Sequence, residues 1–175
     1  MLVMHLLSAN TDKWFGFYPS AIIQGEIWRA VTGQFLHTNT NHLLLNFGGL
    51  FLVWALHGEY YRAKHFFVIV IASGSLIGAG LLLFADYAHY AGFSGILHAF
   101  FFYGAIQDIF REEKTGYLLL IGISLKVAYE VVVGPSTDTE ALIGAQVAAE
   151  AHLIGVIAGG ILALHLIYSK FQIKK

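Results

Sequence analysis

The chain has 175 residues, of which 57% are hydrophobic and only 12% are charged, and its formal net charge is −1. Soluble domains are roughly 45–50% apolar and about 25% charged, so this composition argues against a water-soluble monomer. A net charge this close to zero provides no basic field that would recruit nucleic acid. The chain has no cysteine, which excludes disulfides, thiolate metal sites and cysteine nucleophiles.

The amino terminus is apolar but too short to cross a bilayer. Residues 1–8 (MLVMHLLS) lack both a basic amino-terminal region and a small-residue cleavage site, so they are not typical of a signal peptide. We expect them to be the end of a first helix whose beginning is truncated. The next segment, 10–41, is rich in aromatic residues, which is typical of a membrane interface.

Five later segments are nearly free of charge over about the 20 residues that a membrane-spanning helix requires. Their hydrophobicity is continuous rather than alternating, which favours helices over the strands of a barrel. The predicted spans are 42–57, 66–84, 94–110, 116–133 and 146–168. The sequence therefore predicts an all-α polytopic membrane protein: one domain, 1–175, with five complete spans and a truncated first helix.

Lysine and arginine concentrate in alternate connections and in the tail, whereas the intervening connections carry only acidic charge. The basic segments are 58–65, 108–115 and the tail that contains Lys170, Lys174 and Lys175. Because basic loops remain in the cytoplasm, the carboxyl terminus is predicted to be cytoplasmic. The acidic connections 85–93 and 134–145 are then predicted to lie outside.

Four polar side chains lie within the outer third of the predicted spans. His42 and Asn46 are about one helical turn apart at the start of the first complete span, and Ser94 begins the third. His152 lies about two turns into the last span, roughly 10 Å deep. Such groups are costly in a bilayer and indicate function. Together they provide a nucleophile, a base and donors for an oxyanion, which is the inventory of acyl transfer.

The residues around Ser94 suit a nucleophile. Gly92 and Gly95 permit a tight turn and leave room for a substrate backbone. Ser94 also begins a helix, where free N–H groups and the helix dipole favour negative charge. Small residues next to His152 allow its helix to pack closely enough for the imidazole to approach Ser94. These are Ala151, Gly155 and Gly159.

No acidic residue is clearly placed to complete a triad. Glu150 is two residues from His152 and points to a different face of the helix, so the sequence predicts a Ser–His dyad. His98 is an alternative base because it lies four residues after Ser94 on the same face. A side chain on the nucleophile's own helix rarely reaches back with in-line geometry, so we prefer His152.

Lys126 and Glu130 form an i, i+4 pair inside the fourth span. We expect them to neutralise each other while facing protein. The alternative is that they recognise a polar group of the substrate or of an acceptor, and Glu150 could act similarly at the outer end.

Nine histidines, among them His37 and His42, invite a metal interpretation. There is no His-Glu-x-x-His motif, however, and the other histidines scatter to both sides of the membrane. The sequence predicts neither a metal nor a cofactor.

Two functions without catalysis compete with the enzyme hypothesis. A small transporter would place polar residues near the midplane and often shows internal repeats, but here the polar residues cluster near one face and no repeat is visible. A non-catalytic protein that binds membrane helices would not need both Ser94 and His152.

These motifs resemble those of the rhomboid family of intramembrane serine proteases, over residues 26–168. The motifs are Trp28-Arg29, His42-x-x-x-Asn46, Gly92-x-Ser94-Gly95 and Ala151-His152-x-x-Gly155. Four stretches also resemble the rhombosortase branch: HTNTNHLLLN, GFSGILHAF, LKVAYEVVVG and ALIGAQVAAEAHLIG. The resemblance implies a six-helix fold, of which five spans are complete here.

The same resemblance implies roles for individual residues. Ser94 would be the nucleophile and His152 the general base. His42, Asn46 and the backbone N–H of Ser94 would form the oxyanion hole, while Trp28 and Arg29 would shape the outer segment. The implied partner is a membrane-anchored secreted bacterial protein with paired glycines before its carboxyl-terminal helix. The implied location is the bacterial inner membrane with the site facing the periplasm, and the acceptor could be water or an amine.

Overall fold

The computed structural model describes the backbone of residues 1–173 and the side chains of residues 1–7 and 10–165. Lys174, Lys175 and the side chain of Lys170, which entered the prediction of orientation, lie outside the described residues. Within the described part the chain is entirely helical apart from its connections, and no strand is present. The helices are α1 (Leu2–Leu6), α2 (Ser8–Phe15), α3 (Pro19–Ile23), α4 (Arg29–Thr32), α5 (Thr40–His57), α6 (Ala63–Phe84), α7 (Ser94–Phe110), α8 (Thr115–Val132), α9 (Thr137–Ile143) and α10 (Ala149–Ile173).

The five predicted spans coincide with the long helices α5, α6, α7, α8 and α10, and the all-α prediction is confirmed. By length and hydropathy, α6 and α8 are each sufficient to cross a membrane, and α10 contributes a shorter apolar stretch, Ala149–His165. The amino-terminal residues form two short helices, α1 and α2.

Helix α7 is the centre of the bundle and packs against α5, α6, α8 and α10. Most of its buried side chains are apolar, and Ile96, Ala99 and Phe100 are fully buried. The surrounding helices expose large apolar side chains outward, for example Trp54 and Leu118. Helices that are apolar on both faces suit a lipid environment rather than water.

Helices α7 and α10 approach each other at glycines. A Cβ added to Gly155 would lie 2.1 Å from the carbonyl oxygen of Gly95, and one added to Gly159 would lie 2.3 Å from that of Ala99. Only glycine fits at such a contact between backbones. The small-residue surface expected from the sequence therefore does pack α10 directly on α7.

The segment before α5 is held in place by Trp28 and Arg29. The Arg29 side chain is buried and donates to the carbonyl oxygens of Gly16 (2.9 Å) and Lys13 (2.8 Å). The Trp28 indole N–H donates to the carbonyl of Trp14 at 3.0 Å. These contacts fasten α2 to the start of α4.

Candidate active site

Ser94 is the first residue of α7 and follows a sharp turn at Gly92, which has φ = +130°. Residues with a side chain rarely adopt that conformation. A Cβ at Gly92 would also lie 2.7 Å from the Nε2 atom of His42. The turn therefore requires glycine, and it presents Ser94 with the free N–H groups of a helix amino terminus.

His152 of α10 reaches Ser94 across the α7–α10 contact. Its Nε2 atom lies 2.9 Å from Ser94 Oγ, and the imidazole is buried. The nearby contact of Gly155 with Gly95 sets the separation of the two helices. The structure thus brings together the hydroxyl and the imidazole that the sequence selected.

Glu130 of α8 is the site residue whose position the sequence analysis missed. Its Oε2 atom lies 2.8 Å from His152 Nδ1, so His152 has an acidic neighbour that was not expected from the sequence. A carboxylate accepts, so Nδ1–H donates to Glu130 and leaves Nε2 free to accept from Ser94. Glu150, the acidic residue that the sequence analysis compared with His152, instead accepts from Tyr87 at 2.8 Å.

Lys126 and His98 complete a ring of hydrogen bonds behind these groups. The Lys126 ammonium donates to Glu130 Oε1 (2.7 Å) and to His98 Nε2 (3.1 Å). His98 Nδ1–H donates in turn to the backbone carbonyl of Ser94 at 2.7 Å. Both nitrogens of His98 are therefore engaged away from the Ser94 hydroxyl. The Lys126–Glu130 ion pair forms as expected. In addition, Glu130 is hydrogen-bonded to His152.

His98 also supports the imidazole of His152 by stacking. The two rings lie 4.1 Å apart between centroids, with an interplanar angle of 19°. The stacked face, the Glu130 carboxylate and the helix contact together leave His152 little freedom to rotate. The arrangement orients Nε2 towards Ser94 Oγ.

His42 and Asn46 lie on the other side of Ser94, on α5, and both are buried. They line a cavity of about 220 Å³ that also includes Ser94, Lys126 and His152. The Asn46 side-chain amide donates to the backbone carbonyl of His42 at 2.9 Å. The four polar residues selected at matched depth in the sequence therefore surround one cavity.

Among the described residues, one group has three metal-ligand side chains with atoms within 4.8 Å of one another: His98, Glu130 and His152. The Lys126 ammonium already donates hydrogen bonds to two of them, His98 and Glu130. His37 and His42 contact each other edge to face at 5.1 Å and do not belong to such a group. The Lys126 ammonium thus accounts for the clustering of these side chains.

Fold and site together define an integral membrane helical bundle with a serine, a histidine and a carboxylate in one hydrogen-bonded line. A model of the Rhomboid domain family matches residues 24–169, and the chain belongs to that family. It is 29% identical over 130 residues to "Rhomboid protease GluP" of Bacillus subtilis (strain 168), covering 73% of this chain and 25% of that protein.

Two further relatives are "Rhomboid protease GlpG" of Yersinia pestis (strain Pestoides F) and of Yersinia pseudotuberculosis serotype O:3 (strain YPIII). Each is 28% identical over 141 residues, which is 79% of this chain and 48% of the relative. The chain therefore spans about a quarter to a half of the length of the curated relatives it matches.

Proposed function

We propose that the protein is an intramembrane serine endopeptidase that cleaves a membrane-anchored segment of another protein near the outer face of the membrane. The proposal is carried by one observation, the line Ser94 Oγ–His152–Glu130 with bonds of 2.9 and 2.8 Å. A serine hydroxyl is a weak nucleophile unless an adjacent base accepts its proton. Membership of a family that includes named proteases supports the same conclusion.

The reaction follows from the contacts. Ser94 Oγ attacks the substrate carbonyl carbon while its proton passes to His152 Nε2, and Glu130 stabilises the resulting imidazolium. The tetrahedral oxyanion is held by the backbone N–H of Ser94 with donors from His42 and Asn46. Collapse of the intermediate breaks the peptide bond, and His152 returns the proton to the leaving amine. Water or another amine then releases the acyl group from Ser94.

The first experiment is labelling with a serine-reactive fluorophosphonate. We expect the purified protein to be labelled and Ser94→Ala to be unlabelled, while Ser75→Ala, an exposed serine on α6, keeps wild-type labelling. Unlabelled wild-type protein would favour a non-catalytic helix-binding protein or a small transporter. Labelling that persists in Ser94→Ala would place the nucleophile elsewhere.

We further propose the rhombosortase branch as the nearest functional group, with secreted proteins bearing a glycine-rich site before a carboxyl-terminal helix as substrates. A helix unwinds readily at glycine, and a cavity of about 220 Å³ suits small residues beside Ser94. Co-expression with a protein that carries a paired-glycine tail, followed by mass spectrometry of its new carboxyl terminus, tests this. A free carboxylate indicates hydrolysis and an added amine indicates transfer, whereas an intact tail contradicts this substrate class.

We also propose that the site faces the periplasm from the bacterial inner membrane, with the carboxyl terminus in the cytoplasm. The acidic connection that contains Asp138 lies at the end of the helices where α7 begins, and the connection with Lys114 lies at the other end. The chain has no cysteine, so single cysteines can be introduced cleanly. An impermeant maleimide applied to spheroplasts should label Asp138→Cys and not Lys114→Cys, and the reverse pattern would invert the orientation.

A further inference from the structure

The polar stretch 38–41 at the start of α5 binds the carboxyl end of α9 through three side chains. The Thr38 hydroxyl donates to the carbonyl of Ile143 at 2.5 Å. The side-chain amides of Asn39 and Asn41 donate to the carbonyl of Leu142 at 3.1 and 3.4 Å. Helix α9 therefore rests on the same stretch of chain that leads into His42.

Thr38 also contacts His42. Its Oγ atom lies 3.0 Å from His42 Nδ1. A threonine hydroxyl has one hydrogen, and the Ile143 carbonyl can only accept. The hydrogen of Thr38 is thus committed to Ile143, and the bond to His42 forms only if His42 Nδ1–H donates to Thr38. Neutral His42 consequently carries its proton on Nδ1 and a lone pair on Nε2.

That lone pair faces the proposed reaction site. A Cβ added to Gly92 would lie 2.7 Å from His42 Nε2 and 3.9 Å from Ser94 Oγ, so Nε2 lies beside the turn that presents the nucleophile. An unprotonated nitrogen cannot donate to an oxyanion, and its lone pair would repel the developing charge. With Thr38 bonded to Ile143, neutral His42 is in the wrong tautomer for its proposed role.

We propose that Thr38 is a positioning residue that sets the tautomer of His42 according to whether the Ile143 carbonyl holds its hydroxyl hydrogen. The catalytic consequence rests on the proposed function above, whereas the tautomer itself does not. When the carbonyl withdraws, Thr38 donates to Nδ1 instead. Water in the cavity takes the Nδ1 proton and delivers another to Nε2, so the net charge of His42 is unchanged and Nε2–H becomes a donor.

The cavity explains how a substrate would act on this bond. Ile143 and the neighbouring Thr139, Gln146 and Val147 line the same cavity as Ser94. A polypeptide that enters the cavity therefore contacts the residue whose carbonyl holds Thr38. Entry of a substrate that displaces Ile143 would release Thr38 and convert His42 to the donor form.

The direct test is ¹⁵N NMR of the ring nitrogens in the detergent-solubilised full chain labelled with ¹⁵N-histidine, at mildly alkaline pH, with His42 assigned by its loss in His42→Gln. We expect wild-type His42 to be protonated on Nδ1. Thr38→Val offers no acceptor to His42 Nδ1, so the ring proton of His42 should move to Nε2 in that variant. In Thr38→Ser the ring proton should stay on Nδ1. Thr40→Val is the matched control because the Thr40 hydroxyl contacts His5 instead, at 3.4 Å.

The proposal would be overturned if His42 of the wild-type protein is protonated on Nε2, and this measurement needs no variant. A Thr38→Val protein whose His42 keeps its proton on Nδ1 would also overturn it. The second measurement is the rate of Ser94 labelling by a fluorophosphonate. Thr38→Val should be labelled at least as fast as wild type because its oxyanion donor is already formed, and slower labelling with an inverted tautomer would refute the catalytic consequence. Absence of labelling in the wild type would contradict the proposed function but leave the tautomer result standing.

Discussion

Replacing Gly155 by alanine should separate the proposed nucleophile, Ser94, from its proposed base, His152, without changing either residue. The added Cβ would lie 2.1 Å from the carbonyl oxygen of Gly95, and distances below 3.0 Å essentially never occur for real Cβ atoms. Because the obstacle is backbone, α10 must move away from α7 by about 1 Å. His152 lies one turn away on α10, so its Nε2 atom would move from 2.9 Å to about 4 Å from Ser94 Oγ, beyond hydrogen-bond distance.

A misplacement of about 1 Å can cost on the order of 10²-fold in rate, and we expect that loss in the rate of Ser94 labelling by a fluorophosphonate. Overpacking should also destabilise the fold by about 1–3 kcal/mol, which thermal unfolding in detergent would measure. Gly122→Ala on α8 is the matched control because nothing lies within 4 Å of its added Cβ. A folded Gly155→Ala protein that is labelled at the wild-type rate would refute the claim that this contact sets the Ser94–His152 distance.

Three further outcomes follow from the same contacts. Glu130→Gln should slow Ser94 labelling by roughly 10²-fold or more because the carboxylate orients His152 and stabilises its charged form. Glu150→Gln is the control, and an equal loss in both variants would contradict this role of Glu130. His98→Ala should be labelled more slowly than wild type but faster than His152→Ala, and the opposite order would make His98 the base. Burial chiefly, and then neighbouring positive groups, lowers the pKa of His37 to about 3, from about 6.5 when unfolded; the unfolded state therefore binds more protons between these values, and stability should fall as the pH drops below about 6.5. His37→Phe should flatten that loss in a melting-temperature profile, and an unchanged profile would show that His37 does not cause it.

The sequence predicted the helices well because the signal is local. A charge-free run of about 20 residues is readable without knowing its neighbours, and α7 begins at its predicted start, Ser94. Depth depends only on the distance from the end of a helix, so the sequence could place His42, Asn46 and His152 at one level, and the structure shows all three lining one cavity. Small residues likewise predicted which face of α10 would pack closely, as the contact of Gly155 with Gly95 confirms.

The position of Glu130 could not be found in the same way because it depends on the rotation of α8 about its axis and on its place beside α10. The i, i+4 spacing showed that Lys126 and Glu130 would meet, but not what else they would contact. A cue was present nonetheless, because two charged residues in a span are costly unless protein surrounds them. In the structure Glu130 is the more buried of the two, at 14% exposed against 49% for Lys126. A partner for the more buried charge was to be expected among the polar residues of neighbouring spans.

The ammonium of Lys126 explains how a carboxylate can serve His152 at this depth. An isolated carboxylate in a low-dielectric site would be protonated and would lose its ability to hold an imidazolium. Glu130 keeps one oxygen for Lys126 at 2.7 Å and the other for His152 at 2.8 Å, so its charge is balanced while one acceptor remains available. In the proposed mechanism, proton transfer from Ser94 forms the imidazolium next to a carboxylate that is already oriented by two hydrogen bonds. Proton transfer then requires no large rearrangement of the surrounding charges.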